Sequence, residues 1–196
     1  MRGALHTDPY IWSAVEDFFD PAMMLDLLSE FPADGFRIAG PGPKSFFIRS
    51  LVVNSALPSS TTDLSPTWQS MGRILASPDY RVRLGEFVGR DLSRLRIDAT
   101  LCRYTPGCWL PPHTDRDIRD TTHVIYFNRE WSPEWGGMFQ ILASERPDDI
   151  VAEVVPKLNI SVVMVRSERS WHAVSSVVPG VERDRLSLLI HASSGV

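Results

Sequence analysis

The pattern of apolar residues changes once along the chain, near residue 96, and this change constrains the fold more than any other feature. After it, short segments rich in Val, Ile, Leu, Phe or Tyr are bounded by Pro, Gly, Asp or Ser and alternate with a period of two, which is typical of β-strands. We predict strands at about 96–104, 121–128, 137–142, 150–155, 159–166, 171–178 and 185–192.

One further strand is predicted in the first half of the chain, at 45–53, which brings the expected total to about eight. Eight short antiparallel strands without helices between the later ones favour a double-sheet jelly roll, the cupin-like or double-stranded β-helix architecture. A length of 196 residues is typical of one domain. We therefore predict a single, mainly β (α+β) domain over 1–196, with 96–196 as the jelly-roll catalytic core.

The first 95 residues are predicted to form a helical and irregular support for that core, plus the one strand. A helix begins at Asp20-Pro21, an N-cap followed by proline, and ends before Pro32. Apolar spacing predicts two more helices, at 65–76 and 79–95, and the Gly- and Pro-rich stretch 35–44 is predicted to be a loop. These helices are expected to pack on the outside of one sheet.

The charge and hydropathy of the chain argue against several classes of protein. A formal net charge of −4 does not favour binding to nucleic acid or to anionic membranes. No apolar run reaches the roughly 18 residues that a membrane span needs, and the N-terminus lacks the apolar segment of a signal peptide. We therefore expect a cytoplasmic protein in which Cys102 and Cys108 are reduced thiols.

His113 and Asp115 are separated by one residue, in the segment LCRYTPGCWLPPHTDRD. Residues two apart in an extended segment point the same way, so both side chains can reach one metal ion. A third ligand would come from His172, in a later predicted strand. Two imidazoles and one carboxylate form a facial triad, which suits Fe(II) because it leaves positions open for substrates. His123 is predicted to face the other side of its strand and is not counted as a ligand.

Arg185 begins the last predicted strand, where it shares one face with Ser187, Leu189 and His191. An arginine that points into a β-barrel needs a partner, because a lone buried charge is costly. A ligand carboxylate that binds in bidentate fashion is its natural partner. Arg183 is the alternative arginine, but it lies in the preceding turn, where solvation is expected.

Together these elements resemble the Fe(II)/2-oxoglutarate-dependent dioxygenases, in particular the prolyl-hydroxylase-like branch. The likeness runs from about 96 to 192 and rests on RYTPG before the H-x-D, THVIYFNREWSPEWGGMFQIL, VPKLNISVVMV, SERSWHAVSSV and the R-x-S of RLSLLI. The resemblance implies an enzyme that uses Fe(II), 2-oxoglutarate and O₂. Such enzymes convert 2-oxoglutarate to succinate and CO₂ while they oxidise a C–H bond of a substrate.

The resemblance also implies a role for each matching residue. His113, Asp115 and His172 would bind the iron. Four further residues would form the cosubstrate pocket, with Arg185 binding the distal carboxylate of 2-oxoglutarate beside Ser187, Tyr104 and Tyr126.

Asp115 bears on the type of reaction as well. Related halogenases have a small residue at this position, which leaves room for a halide, so a carboxylate favours hydroxylation. Two features depart from the branch: the spacing from His172 to Arg185 is longer, and His191 stands where many relatives have an aromatic residue. His191 is expected to contact cosubstrate or substrate, or to be a core histidine.

The substrate is expected to be a small molecule, such as an amino acid or a natural-product intermediate, since 196 residues leave no room for a separate recruiting domain. In the loop 116–120, Arg116 and Arg119 could bind a carboxylate and Asp117 or Asp120 an amine; a solvated turn is the alternative. Two other functions stay open: hydroxylation of a peptidyl or carrier-bound residue, and a non-catalytic jelly-roll domain that binds a metal or acts as a sensor. A cupin-like metalloenzyme of another kind usually needs three or four histidines.

Overall fold

Two β-sheets lie face to face in the computed structural model, which describes residues 3–39 and 46–194. The strands are β1 Trp12–Glu16, β2 Arg37–Ala39, β3 Phe46–Val52, β4 Arg96–Tyr104, β5 Leu110–His113, β6 Arg119–Tyr126, β7 Phe139–Leu142, β8 Ile150–Val154, β9 Ile160–Val165, β10 His172–Val174 and β11 Arg185–Ser193. The larger sheet has the strand order β1-β9-β6-β11-β4-β3-β2 and the smaller one β5-β10-β7-β8. The eight strands from β4 to β11 form a jelly roll with four strands in each sheet, which confirms the predicted fold.

Three strands were not predicted. β5 has the sequence LPPH, and its two prolines cannot donate hydrogen bonds, but it lies at the edge of its sheet, where proline is tolerated. β1 pairs with β9 at the edge of the larger sheet. β2 lies inside the stretch 35–44 that was predicted to be a loop, because 37–39 pair with β3; residues 40–44 lie outside the described part. The strand predicted at 171–178 is shorter and ends at Val174.

The helices are α1 Pro21–Ser29, α2 Pro66–Ala76 and α3 Pro78–Val88. Asp20 caps α1 as predicted, because its side chain accepts a hydrogen bond from the backbone N–H of Met23. Each of the other two helices begins with a serine cap and a proline. The prediction that the last helix continues to residue 95 is wrong: it ends at Gly89, whose φ of +69° is left-handed and closes the helix.

Alternation along β11 divides the buried side chains into two layers. Leu188 and Ile190 pack in the apolar core beneath the three helices, whereas Ser187, Leu189 and His191, which alternate with them, face the smaller sheet. His123 belongs to the helix side, where its Nδ1 forms a 2.8 Å hydrogen bond with the hydroxyl of Tyr80, so its predicted orientation is confirmed. Because helices and jelly roll share this core, we propose that they form one domain. Among the described residues, no helix is long and apolar enough to cross a bilayer.

Candidate active site

A cavity of about 230 Å³ lies between the two sheets. Its size is below the roughly 300–1,000 Å³ of pockets for drug-sized ligands, so it suits a small one. Six of the seven predicted site residues line it: Tyr104, His113, Asp115, His172, Arg185 and Ser187. The seventh, Tyr126, contacts the guanidinium of Arg185.

Strand register brings the two histidines together. His113, the last residue of β5, is directly opposite His172, the first residue of β10, and their ring centroids are 4.2 Å apart. Asp115 follows two residues after the end of β5. One ligand atom from each of these three side chains lies within 4.8 Å of the others, which is compact enough for one metal ion.

Both histidines are held in the tautomer that a metal ligand needs. Nδ1 of His113 is 2.9 Å from the carbonyl oxygen of Pro111, and Nδ1 of His172 is 2.9 Å from that of Ser170. A carbonyl oxygen only accepts, so each Nδ1 carries the proton and each Nε2 keeps a free lone pair. Burial, and secondarily the nearby His113, lower the pKa of His172 to about 4, which keeps it neutral.

Asp115 is anchored through both of its carboxylate oxygens. Nη1 of Arg119 donates to Oδ1 at 2.5 Å, and the hydroxyl of Thr122 donates to Oδ2 at 2.5 Å. Burial alone would raise the pKa of Asp115, but His172, His191, Thr122 and Arg119 outweigh it and lower the pKa to about 2. The group is therefore an ionised carboxylate with a fixed orientation.

The sequence reasoning missed Thr122. The signal was available, because residues two apart along a strand share a face. Thr122 therefore lies on the same inward face of β6 as Val124 and Tyr126. What could not be seen was that Asp115, beyond the end of β5, would reach across to that strand.

Arg185 is 1% exposed and only partly paired. Its Nε donates to the carbonyl oxygen of Gly137 at 2.6 Å, and its Nη1 lies 3.4 Å from the hydroxyl of Ser187. Its guanidinium carbon lies 5.0 Å from the ring centres of both Tyr104 and Tyr126. Within the described part of the chain, Nη2 of Arg185 and the hydroxyl of Tyr126 are buried without a hydrogen-bond partner.

Two unpaired buried donors in one place indicate a missing acceptor, because an unsatisfied buried group is costly. Burial raises the pKa of Tyr126 to about 12, so its hydroxyl keeps the proton that it can donate. A carboxylate fits both the positive charge and the two donors. Gly137 has to be glycine here, since its φ is +66° and a Cβ would lie 3.1 Å from Cδ of Arg185.

The charged loop 116–120 contributes less than the sequence suggested. Arg119 reaches the cavity and Arg116 lines a neighbouring groove. Asp117 instead pairs with Arg166, and Asp120 accepts a hydrogen bond from Thr121. The two carboxylates that could have received a substrate amine are therefore engaged elsewhere.

The alternative arginine lies outside the cavity. Arg183 is largely exposed and pairs with Glu130 at 3.7 Å. Arg185, by contrast, faces Tyr104 across β4. The structure thus favours the arginine that strand alternation had indicated.

His191 lies near the other end of the inward face of β11. Its Nδ1 is 3.3 Å from the hydroxyl oxygen of Thr122. Burial first, and then the positive charge of Arg119, lower the pKa of His191 to about 3, so the ring is neutral at pH 7.

A family model described as the 2OG-Fe(II) oxygenase superfamily matches residues 99–190. A comparison with curated protein sequences gave no match. Among solved structures, a Pseudomonas putida prolyl-4-hydroxylase is 22% identical with a TM-score of 0.71, and the alignment covers 94% of this chain and 92% of that one. At this identity the likeness shows the fold alone.

Two other solved structures share the fold. One is a prolyl hydroxylase from Trichoplax adhaerens in complex with a hypoxia inducible factor oxygen degradation domain peptide fragment: identity is 13%, TM-score 0.66, and coverage 93% of this chain and 83% of that one. The other is the non-heme alpha ketoglutarate dependent epimerase SnoN from nogalamycin biosynthesis: identity is 14%, TM-score 0.65, and coverage 93% and 78%. The reactions named for these structures differ, so the fold does not fix the substrate.

Proposed function

Because the chain is a 2OG-Fe(II) oxygenase and a 2-oxoglutarate-dependent dioxygenase, we propose that it hydroxylates an unactivated C–H bond of a small molecule such as an amino acid or a natural-product intermediate. The enzyme class uses Fe(II), 2-oxoglutarate and O₂.

The proposed iron ligands are Nε2 of His113, Nε2 of His172 and a carboxylate oxygen of Asp115. Their nitrogen and oxygen donors suit Fe(II), and three protein ligands leave room for an oxo-acid and O₂. When bound, the iron and its cosubstrate supply the oxidising power for C–H cleavage. The chain itself keeps the His172 imidazole neutral, holds the Nδ1 protons of both histidines on backbone carbonyls and orients the carboxylate.

The observation that carries the proposal is the buried, incompletely paired Arg185 on the same cavity as the His-Asp-His cluster. We assign its free Nη2 and the hydroxyl of Tyr126 to the distal carboxylate of 2-oxoglutarate. Ser187 and the ring of Tyr104 complete the surroundings of that carboxylate. In a buried site such charge-assisted hydrogen bonds are strong and exclude competition by water.

Other residues of the chain keep water away from the reacting atoms. Phe46 stacks on Tyr104 with ring centroids 4.5 Å apart, and Phe139 stacks beside His172 at 5.5 Å. These apolar walls lower the local dielectric and so strengthen the interactions of the charged groups. The carboxylate of Asp115 occupies the position that a halide would need, which supports hydroxylation over halogenation.

The second candidate is hydroxylation of a peptidyl or carrier-bound residue. It is favoured by the fold shared with a prolyl hydroxylase solved with a peptide fragment and by the open groove beside the cavity. A non-catalytic metal-binding or sensor domain is disfavoured because the His-Asp-His cluster shares its cavity with Arg185, whose free N–H group suits a ligand carboxylate. A cytoplasmic location is part of our proposal, consistent with the free thiols of Cys102 and Cys108.

The test is succinate formation by the purified protein with Fe(II), 2-oxoglutarate and O₂. We expect succinate in the wild type and its loss in His172→Ala, and we expect L-amino acids to stimulate it more than proline-containing peptides do. Stronger stimulation by peptides would favour the second candidate. Absence of succinate under all of these conditions would contradict the proposed activity.

A further inference from the structure

His191 is the last member of a short chain of hydrogen bonds that begins at Asp115. The hydroxyl of Thr122 donates to Oδ2 of Asp115, and Nδ1 of His191 lies 3.3 Å from the same hydroxyl oxygen. A hydroxyl has one proton, and an ionised carboxylate can only accept. Thr122 therefore gives its proton to Asp115 and can only accept from His191, which places the imidazole proton on Nδ1.

This tautomer determines what the other ring nitrogen of His191 can do. With the proton on Nδ1, Nε2 of the neutral ring has a lone pair and acts as an acceptor. Within the described part of the chain, no group donates a hydrogen bond to Nε2, and the atom remains open to the cavity that His191 lines. The protein thus presents an unpaired acceptor to whatever ligand occupies this space.

The position of His191 separates it from the proposed cosubstrate site. Arg185 and His191 lie on the same face of β11, six residues apart, and a strand rises about 3.3 Å per residue. The two backbone positions are therefore roughly 20 Å apart. A ligand group that contacts His191 lies at the opposite end of this strand face from the distal carboxylate assigned to Arg185.

A second cavity meets the first one at His191. This groove extends over β3 and β4, and its lining includes Asp98, Thr100 and Arg116. The two cavities share Phe46, Arg119, Leu189 and His191 as walls. A molecule that reaches the His-Asp-His cluster from the groove passes along the His191 ring.

We infer that His191 is a substrate-binding residue whose Nε2 accepts a hydrogen bond from an N–H group of an amino-acid-like substrate, an inference that rests on the proposed oxygenase function. The amine of the substrate donates to Nε2 of His191. The carboxylate of the same substrate accepts hydrogen bonds from the N–H groups of Arg119 that do not bind Asp115. Two fixed points of this kind select which carbon faces the metal cluster. His191 thereby supplies an acceptor on the wall of the cavity, whereas Asp117 and Asp120 line neither the cavity nor the groove.

The tautomer can be measured by NMR on protein with ¹⁵N-labelled histidine, loaded with Zn(II) as a diamagnetic substitute and with 2-oxoglutarate. The ring signals of His191 are assigned by their loss in His191→Gln. We expect a protonated Nδ1 and an unprotonated Nε2; an Nε2–H tautomer or a doubly protonated ring would overturn the inference. The Zn(II)-induced shifts of His113 and His172 report separately on the metal site, so failure of the proposed function is recognised independently.

Recognition of the amine is tested with free L-amino acids and with their N-trimethylated betaines, which have no N–H. The measured quantity is the KM for the amino acid that stimulates succinate formation most. It should stay within about threefold of the wild-type value in His191→Gln, which keeps an acceptor, and rise by at least about tenfold in His191→Phe, which fills similar space without one. With the wild-type enzyme, the KM for the betaine should likewise exceed that for the amino acid by at least about tenfold.

Equal KM values for the Gln and Phe variants, or for an amino acid and its betaine, would overturn the assignment of His191 to the amine. Succinate formation that no L-amino acid stimulates would overturn the amino-acid class of the substrate. In that case succinate formed without added substrate would still establish the oxygenase activity, and the NMR measurement would still show whether Nε2 is a free acceptor.

Discussion

His113 and His172 face each other directly across the antiparallel pair of β5 and β10, with ring centroids 4.2 Å apart. The closeness of the two imidazoles is therefore a consequence of strand register: a slip of one residue in either strand would turn one imidazole to the opposite face. Asp115 lies beyond the end of β5, so its orientation depends on Arg119 and Thr122 instead. The three proposed ligands are thus held by two different means.

Replacing a proposed ligand should abolish metal binding. In His113→Ala or Asp115→Ala, two remaining donors hold Fe(II) weakly, so we expect less than about a tenth of the wild-type iron content. The measurement is metal analysis after anaerobic loading and gel filtration. His6→Ala, at an exposed histidine, is the matched control and should keep its iron. Near wild-type iron in either ligand variant would show that the cluster is not the iron site.

Removing the hydroxyl that orients Asp115 should weaken metal binding without removing a ligand. Thr122→Val keeps the shape of the side chain but loses the hydrogen bond, and loss of such support typically lowers metal affinity about 10- to 100-fold. Thr121→Val is the control, because Thr121 is equally buried but bonds to Asp120. Titrations with Mn(II), monitored by calorimetry, should show a lower affinity for Thr122→Val than for Thr121→Val. Equal affinities would mean that Thr122 has no role at the metal.

The choice of arginine can be tested by a pair of variants. Arg185→Ala should raise the apparent KM for 2-oxoglutarate, since cutting one partner from a buried charge-assisted pair costs on the order of 2–4 kcal/mol, or about 30- to 1,000-fold. Arg183→Ala, at the exposed neighbour, should leave it unchanged. Metal content and thermal unfolding of both proteins would check that Arg185→Ala stays folded. The reverse pattern would assign the cosubstrate to Arg183.

The two arginines of the charged loop should differ in their effect on coupling. Arg119 lines the cavity and binds Asp115, whereas Arg116 lies farther out in the groove. We expect Arg119→Gln to lower product formed per succinate and Arg116→Gln to change the KM of the substrate with little loss of coupling. The ratio of product to succinate, measured with the most stimulating amino acid, gives the result. Full coupling in Arg119→Gln would remove this residue from substrate positioning.

The jelly roll and the inward face of β11 could be predicted from the sequence because both depend on local alternation. Along β11 a period of two places Arg185, Ser187 and His191 on one face regardless of what surrounds the strand. Two of the proposed metal ligands were predicted from the local H-x-D spacing. The third, His172, was predicted from the order in which H-x-D, later strands and a histidine follow one another, an order shared with the oxygenases that the chain resembles.

What escaped prediction depends on contacts between distant segments. The edge strand with Pro111 and Pro112 forms only because β10 offers it a partner, and its prolines hide it from propensity rules. The helix expected to reach residue 95 ends at Gly89, where a left-handed backbone outweighs the apolar spacing. Thr122 and the engagement of Asp117 by Arg166 likewise come from tertiary contacts.

The last prediction concerns His123, a histidine outside the active site. It is fully buried, its Nδ1 bonds to the hydroxyl of Tyr80, and the ring of Phe18 lies 4.4 Å away. Burial lowers its pKa from 6.5 to about 3. Between these two pH values the unfolded chain binds a proton that the folded protein excludes, so the free energy of unfolding falls as the pH falls.

The contribution of one such group is about 1.4 kcal/mol per pH unit, or about 2 kcal/mol between pH 6.5 and pH 5. We therefore expect the free energy of unfolding of His123→Phe to be lower than that of wild type at pH 7, because the hydroxyl of Tyr80 loses its partner. The difference should shrink by about 2 kcal/mol at pH 5, since phenylalanine takes up no proton. Urea unfolding with a metal chelator at both pH values measures it; an equal difference at pH 7 and pH 5 would mean that His123 is not the titrating group.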